Sequence, residues 1–374
     1  APWVAVLHQD LSVVYAEYGD LHRAIIHLRQ ALRYWRDVGN PAQLARVTND
    51  LGFIHYLNGE FDEAEEALEE ALLRAREAES SQSEAYVLAS LGDLYRDTGR
   101  LEEAVAEFQE GYLVAERVQE NFLMVYCLNG QAEVARLRGA HARAERLAQR
   151  ALALAQGHHS SYEMALCRMT LGINDYERGN LDAGERELLA AARQFEQGGA
   201  RRELARAHLH LAFLAFLSKR PKKALQRLAQ ALETAGQLGY DHFLVAEARA
   251  MLPMLRQVAE LDEEGSVAPF LERVQESAAA WRGQEEVEPS TKKPLRAKPD
   301  EARYALRVYA LGPTQVFLHA EPVLLSRWAS VRTRELFFFL LAHPEGVRRD
   351  QVGVLFWPDL PPSRMNTVFH TVLY

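Results

Sequence analysis

The residues best suited to bind a ligand are aromatic rings and arginines that recur at matched places along the sequence. Rings can form the floor of a groove, and guanidinium groups can pair with anionic groups of a peptide or small molecule. Seven candidates stand three or six residues before a recurrent turn position: Phe53, Tyr56, Arg96, Arg136, Tyr176, Phe213 and Phe216. Aromatic residues at helical spacing also pack helices together, so ordinary interhelix packing is the alternative to a groove.

Two of these arginines follow a carboxylate by three residues, since Asp93 precedes Arg96 and Glu133 precedes Arg136. Residues spaced i,i+3 are neighbours on one helix face. We therefore expect each pair to neutralise itself within the candidate groove.

A second candidate set lies near the end of the sequence and suits contact with DNA. Thr367, His370, Thr371 and Tyr374 follow the spacing i,i+3,i+4,i+7, which places them on one stripe of a helix. In a helix lying in the major groove, such a stripe reaches base edges. Three arginines near the starts of predicted helices could hold phosphates: Arg332, Arg348 and Arg364. Met365–Tyr374 contains no Lys or Arg.

Motifs for catalysis, cofactors and metals are missing from the sequence. There is no phosphate-binding glycine loop with Lys, no metalloprotease motif and no nucleophile elbow, so we expect no enzymatic activity and no cofactor. His158 and His159 are adjacent, but no Cys or carboxylate ligand set accompanies them, so we expect a solvated loop and no metal.

The elements that must position the groove candidates repeat every 40 residues. A turn residue recurs at Gly19, Gly59, Gly99, Gly139, Gly179 and Lys219. A small residue five places on recurs as Ala24, Ala64, Ala104, Ala144, Gly184 and Ala224. A third small position recurs as Ala31, Ala71, Gly111, Ala151, Ala191 and Ala231. A fixed period with small residues at helix contacts predicts a solenoid of six antiparallel helix pairs over residues 1–237.

This pattern resembles the tetratricopeptide repeat (TPR), in a longer form similar to the sensor region of bacterial maltose-activator-like (STAND) regulators. The resemblance implies a mostly α, right-handed superhelical TPR-like solenoid whose first helices line the concave face. The basic and amide pattern with which some TPR domains clamp a terminal carboxylate is absent here. Residues 238–282 are predicted to form a helical cap, as one further pair over 241–259 and 267–282.

Composition and charge separate the chain into two parts. The net charge is −9, but residues 303–374 hold eight Arg and five Asp or Glu, net +3, which leaves −12 on the remainder. Any polyanionic partner therefore belongs to the C-terminal end. The two cysteines, Cys127 and Cys167, lie one period apart, too far for a disulfide, and are predicted to be buried thiols. No apolar run is long enough to span a membrane, and we expect a cytoplasmic location.

Residues 283–302 lose nearly all large apolar side chains and are predicted to be a flexible linker. Beyond it, alternation predicts strands at 306–310, 314–318 and 322–325, followed by helices near 333–342 and 349–356 and a third from about 361. This order of elements, with the run LFWPDLPPSRMNT, resembles the OmpR-type winged helix of the antibiotic-regulatory-protein (SARP) activators. The resemblance implies a DNA-binding domain over 303–374 that stops within its recognition helix.

Together these features favour part of a bacterial transcription regulator. The repeats would sense a protein or small-molecule inducer, the C-terminal module would bind DNA, and self-association and an upstream ATPase are expectations from the resemblance. The alternative is a protein-interaction scaffold whose C-terminal module does not bind DNA.

Overall fold

The computed structural model describes residues 2–263, 265–285, 306–309, 315–318 and 321–322. The chain divides into two compact units, Ala1–Thr291 and Lys292–Tyr374. Nearly all of the predicted linker lies outside the described residues, as do the predicted helices after residue 333. The DNA-contact candidates lie there too, namely Arg332, Arg348, Arg364, Thr367, His370, Thr371 and Tyr374.

In the first unit, the twelve helices before the cap pair in sequence order. They are α1 Pro2–Glu17, α2 Leu21–Val38, α3 Pro41–Leu57, α4 Phe61–Glu77, α5 Ser81–Asp97, α6 Leu101–Val118, α7 Asn121–Leu137, α8 His141–Gly157, α9 Ser161–Glu177, α10 Leu181–Gly198, α11 Arg201–Leu217 and α12 Pro221–Leu238. Each odd-numbered helix packs on the even-numbered helix that follows it, and α3, α5, α7, α9 and α11 also contact the helix before them. The predicted TPR-like helical solenoid is confirmed.

The turns within pairs follow from local backbone chemistry. The five turn glycines have φ between 71° and 88°, a left-handed conformation that costs glycine no steric penalty. Lys219 occupies the same place in the sixth pair and also has a positive φ, 56°. At helix starts, Asn40 and Asp20 accept hydrogen bonds from backbone N–H groups three residues on, at 3.1 and 3.0 Å.

Small residues allow the helices to approach closely around Phe108. A Cβ atom on Gly92 would lie 2.6 Å from the Phe108 ring, and one on Gly130 of the next pair would lie 2.5 Å from it. Phe108 is fully buried between these two first helices. Ala104, one turn earlier on α6, is also fully buried, which explains the recurrent small residue at its position.

Cys127 and Cys167 are free, buried thiols, as predicted. Burial raises the pKa of the Cys167 thiol to about 12 and that of Cys127 further, so neither forms the reactive thiolate at neutral pH.

The cap differs from its prediction in one respect. Its first helix is interrupted, because α13 His242–Ala248 passes through a 3₁₀ turn, Arg249–Met251, into α14 Leu252–Ala259. Pro253 explains the break, since its ring has no N–H and collides with the carbonyl four residues earlier in a continuous helix. The last helix, α15 Ala268–Glu285, packs on α13 and α14 and buries Phe270.

In the second unit the described residues form a small antiparallel sheet. The strands are β1 Leu306–Tyr309, β2 Gln315–Leu318 and β3 Glu321–Pro322, in the order β1-β2-β3. The third strand was predicted at 322–325 and overlaps the described strand only at Pro322. The winged-helix fold of this unit stays a prediction.

Candidate ligand-binding site on the first helices

The first helices of several pairs bring charged side chains together around Arg96. The guanidinium of Arg96 contacts carboxylates of Asp93 at 2.9 Å and Asp97 at 2.7 Å on its own helix. It also reaches Glu133 on α7 at 2.5 Å. All three acidic partners are largely buried, so these are ion pairs held within the packed unit and shielded from solvent.

The same cluster extends toward the end of the solenoid. Glu133 forms a second ion pair, at 3.3 Å, with Arg206 on α11. Arg206 also pairs with Glu247 of the cap. His210 Nε2 lies 3.0 Å from Glu247, while its Nδ1 lies 2.8 Å from the hydroxyl of Tyr176. Pairs four, five and six and the cap are thereby connected.

In the other direction the cluster reaches the second pair. The hydroxyl of Tyr56 on α3 donates to Asp97 at 2.5 Å and accepts from Arg202 Nη2 on α11 at 3.1 Å. The hydroxyl of Tyr126 donates to Asp93 at 2.5 Å, and Arg249 of the cap donates to the Asp97 carbonyl oxygen at 3.1 Å. We call the connected set the inner network: Tyr56, Asp93, Arg96, Asp97, Tyr126, Glu133, Tyr176, Arg202, Arg206, His210, Glu247 and Arg249.

The first two helix pairs contact the end of α12 and the cap. A Cβ on Gly19 would lie 2.1 Å from the carbonyl oxygen of Leu238, so the first turn touches the end of α12. The rings of Phe61 and of His242 in the cap form a T-shaped contact, with centroids 5.9 Å apart. The inner network therefore lies where early and late repeats meet.

Arginines determine the charge state of most of the network's carboxylates. Burial alone would raise the pKa of Glu133, but Arg96 and Arg206 outweigh it and hold that pKa below its usual value. The pKa of Glu247 is held far below its usual range, because Arg206 and a hydrogen bond from His210 together overcome the effect of burial. Asp93 is the exception, since burial raises its pKa despite the nearby Arg96. Glu133 and Glu247 thus stay charged at neutral pH, each in contact with at least one arginine.

Arg202 has an environment unlike that of the other network arginines. Its guanidinium carbon lies 6.0, 5.6 and 5.7 Å from the ring centres of Phe53, Tyr56 and Phe243. It also lines a small polar pocket with about 20 Å³ of free space. Other residues around that pocket are Tyr126, Asn129, Glu133, Tyr162, Glu203 and Arg206.

The seven groove candidates predicted from the sequence do not all join the inner network. Tyr56, Arg96 and Tyr176 belong to the inner network, and Phe53 lies against Arg202. Phe213 packs on Tyr176 with centroids 5.8 Å apart, and its other ring neighbour is Phe216 at 6.2 Å. Arg136 pairs instead with Glu177, at 2.5 Å.

Of the two ion pairs predicted within single helices, one forms and one does not. Asp93 and Arg96 are paired, but Glu133 is not paired with Arg136. Both arginines reach forward to the next first helix, Arg96 to Glu133 and Arg136 to Glu177. Stacked first helices bring residues of successive repeats as close together as neighbours on one helix. Arg136 therefore pairs with Glu177 of the next repeat and not with Glu133 of its own helix.

Sequence reasoning missed several residues of the site, among them Asn129, Arg202 and Arg206. The sequence does carry a signal for the two arginines, because Arg206 and Arg202 stand seven and eleven residues before the groove candidate Phe213. Both spacings keep a residue on the same helix face. Glu247 lies in the cap, outside the repeat frame, and has no such signal.

His158 and His159 lie in the turn after α8, where His159 has a φ of 58°. Within the described residues there is no group of three or more His, Cys, Asp or Glu side chains that could hold a metal ion. Over the same residues, no helix is both long and apolar enough to cross a membrane.

Comparison with known families supports the repeat assignment. Residues 43–117 match the tetratricopeptide repeat family model. No curated protein matches the chain.

Several solved structures share the helical solenoid. The Rap conjugation gene regulator of plasmid pLS20, in complex with the Phr* peptide, is 13% identical with a TM-score of 0.57 and covers 76% of each chain. A Rap protein complexed with Competence and Sporulation Factor is 12% identical, with a TM-score of 0.52 over 75% of this chain and 100% of that one. A STAND protein with a tetratricopeptide repeat sensor from Pyrococcus horikoshii is 14% identical, with a TM-score of 0.47 over 75% of this chain and 42% of that one. At these identities, the likeness to the two Rap structures shows a shared fold.

Proposed function

We propose that this chain is part of a bacterial transcription regulator, in which the repeat solenoid is the sensing arm and residues 303–374 are the DNA-binding effector. The observation that carries the sensing role is the inner network. It joins Tyr56 of the second pair to Arg202 of the sixth, two residues 146 positions apart in sequence. A ligand that binds there contacts early and late repeats at once.

In this proposal the inducer acts by shifting a conformational equilibrium. A ligand can shift an equilibrium only by as much as it binds one arrangement better than the other. The network offers such a difference, because its bonds exist only while the second, third and sixth pairs and the cap lie together. A ligand that replaces the Tyr56–Arg202 bond would favour a different arrangement of the repeats.

The proposed inducer is a peptide or another small molecule that carries polar groups. The inner network presents hydroxyls, guanidiniums and carboxylates beside aromatic rings, which together suit a peptide better than an apolar ligand. The Rap regulator bound to the Phr* peptide has the same fold, which supports a peptide within this proposal.

DNA binding is proposed from the sequence pattern of the C-terminal module. Thr367, His370, Thr371 and Tyr374 would face base edges, and Arg332, Arg348 and Arg364 would hold phosphates. No catalytic step is part of the proposal. Its test is fluorescence anisotropy of DNA from the proposed regulator's own promoter, with protein extended beyond residue 374.

Two variants of that longer protein separate the proposed roles. Thr371→Ala should cost about 1–3 kcal/mol on the specific site and little on unrelated DNA. Arg348→Ala should weaken binding to every sequence and reduce the salt slope by about 0.9. If the longer protein binds no DNA, the interaction scaffold becomes the better proposal.

A further inference from the structure

We propose that residues 239–249, at the start of the cap, form a clasp that closes the solenoid over the turns of its first three pairs, and that the clasp opens to admit the ligand to the inner network. This inference rests on the proposed sensing function and names how access to its site is regulated. The structure shows the closed arrangement.

The first contact of the clasp joins the two ends of the solenoid through glycines. Gly19, in the turn of the first pair, lies so close to the end of α12 that a Cβ atom on it would overlap the carbonyl oxygen of Leu238. In return, a Cβ on Gly239 would lie 3.0 Å from the carbonyl oxygen of Gly19. Two backbones come this close only where neither residue carries a side chain.

The next two pairs contact the clasp further along its sequence. The backbone of Gly59, in the turn of the second pair, lies against the imidazole of His242, which also makes the T-shaped contact with Phe61. At the end of α5 in the third pair, the carbonyl oxygen of Asp97 accepts a hydrogen bond from Arg249 at 3.1 Å. Three successive pairs therefore meet one continuous segment of the cap, in sequence order.

In this closed arrangement the inner network has no room for a peptide. The polar pocket beside it has about 20 Å³ of free space, and one water molecule needs about 10–15 Å³. Asp93, Glu133 and Tyr176 each expose 4% or less of their surface. A ligand larger than one or two water molecules can reach these groups only after part of the surrounding structure has moved.

The clasp is held by fewer buried apolar contacts than successive pairs are. The buried apolar cluster of the early repeats lies within residues 5–167, and that of the sixth pair and cap lies within residues 205–274. These two clusters are separate, and the partly buried Tyr240 packs against both. Between successive pairs, by contrast, lie fully buried side chains such as Phe108. Local opening takes place where buried apolar contacts are few.

The clasp also contributes side chains to the network that it covers. Glu247 pairs with Arg206, and the ring of Phe243 lies 5.7 Å from the guanidinium carbon of Arg202. Opening the clasp therefore breaks bonds of the network itself. A ligand that replaces those bonds stabilises the open arrangement, which couples ligand binding to the position of the cap.

The test compares Gly19→Ala with Gly139→Ala. Gly139 occupies the same turn position in the fourth pair, with a φ of 71° against 78° for Gly19, and a Cβ on it would meet no atom within 4 Å. Both variants place a side chain at a positive φ and carry that backbone cost. The methyl group of Gly19→Ala additionally pushes the end of α12 away from the first pair.

Access to the network is measured in proteins that all carry Asn129→Cys, which places a thiol in the polar pocket, by alkylation with iodoacetamide. Native Cys127 and Cys167 are buried outside that pocket and report loosening of the whole fold. We expect Gly19→Ala to accelerate alkylation at position 129 about 10–100-fold, the factor by which overpacking shifts a two-state equilibrium. Gly139→Ala should leave the rate at position 129 unchanged.

His242→Ala opens the clasp without adding an overlap, because it removes the ring that lies against Gly59 and Phe61. We expect it to accelerate alkylation at position 129 by a smaller factor, about 2–10-fold. His22→Ala, at an exposed position on α2, is its control and should leave the rate unchanged.

Rates at position 129 that match the controls in both Gly19→Ala and His242→Ala would overturn the clasp. So would alkylation of Cys127 and Cys167 that accelerates as much as that of position 129, because the whole fold would then have loosened. Neither result depends on DNA binding by the longer protein. Conversely, a longer protein that binds no DNA would remove the proposed function and leave the opening of the clasp measurable.

Discussion

The inner network and the part of α3 around Asp50 both bury carboxylates, but the pKa values of Glu133 and Glu247 are lowered and that of Asp50 is raised. Burial raises the pKa of Asp50 on α3 to about 6, and attraction to Arg46 only partly offsets the effect of burial. Glu133 and Glu247 are buried too, yet their pKa values lie below the usual value. Glu133 contacts two arginines, and Glu247 contacts one arginine and one histidine. One guanidinium at contact distance is not enough, since Asp93 lies beside Arg96 and keeps a raised pKa. A second arginine at Glu133, or a histidine at Glu247, accompanies the lowered pKa there.

The first helix, α1, also differs from the first helices of later pairs in how deeply its apolar side chains are buried. Leu7 on α1 is 49% exposed, whereas the equivalent Val47, Val87, Cys127, Cys167 and Ala207 are fully buried. Val14 is likewise 44% exposed, against 6% or less for its apolar equivalents Ile54, Leu94, Val134 and Leu214. The same repeat position is thus a core site in later pairs and a surface site in the first.

The largest effect is expected when a network arginine is removed. Arg206→Met leaves Glu133 and Glu247 buried without that partner, which should cost about 3–5 kcal/mol in chemical denaturation at neutral pH. The control is Arg178→Met, whose pair with Glu145 is exposed and should contribute at most about 1 kcal/mol. Equal losses in the two variants would mean that the network's charges are not effectively buried.

Asp50→Asn should produce the next largest effect, and it should depend on pH. Because the folded-state pKa of Asp50 is raised to about 6, the wild type loses stability as the pH rises from about 4 through 6. Asparagine does not titrate, so the variant should gain up to about 3 kcal/mol over the wild type across that window and hold the gain above it. Urea denaturation at pH 4, 5, 6 and 7 measures this, and a difference that is flat with pH would contradict it.

The recurrent small residues are common to both regions and should be sensitive to overpacking. Ala104→Leu should destabilise by about 1–3 kcal/mol, because this fully buried position has no room for three more carbons. Glu103→Leu changes the exposed neighbour on the same helix and should stay within roughly 0.5 kcal/mol. Coincident denaturation midpoints would count against the close helix contact at Ala104.

The smallest effect should come from the first helix. Leu7→Ala should change the unfolding free energy by no more than roughly 0.5 kcal/mol, since half of this side chain is in solvent. Val47→Ala removes two methyl groups at the fully buried equivalent position and should cost about 1–3 kcal/mol. A loss at Leu7 as large as that at Val47 would show that another surface covers α1.

The sequence was sufficient for the helical pairs because their determinants are local and recur. A glycine in a left-handed turn and an alanine at a helix contact each repeat every 40 residues, so Gly59 and Ala64 predict Gly99 and Ala104. The burial of Cys127 followed from the same frame. The break at Pro253 was visible in the sequence but was overlooked, although proline inside a helix is a strong local signal.

Much of the candidate site was beyond such reasoning, because its contacts join residues far apart in sequence. No local spacing relates Tyr56 to Arg202 or Asp97 to Arg249; these contacts depend on how sharply the solenoid curves. The pairing of Glu133 with Arg96 and Arg206, in place of Arg136, was missed for the same reason. Periodicity identifies the face of a helix but not the partner that meets it.

The most direct test of the account is hydrogen exchange, measured by mass spectrometry, on Arg202→Gln. If the inner network joins distant repeats, this change on α11 should raise amide exchange in α3 and at the end of α5, where Tyr56 and Asp97 lie, as well as near residue 202. Arg201→Gln, at the exposed neighbouring position, should leave α3 and α5 unchanged. Faster exchange confined to α11 in Arg202→Gln would contradict the central claim that the network links the second, third and sixth pairs.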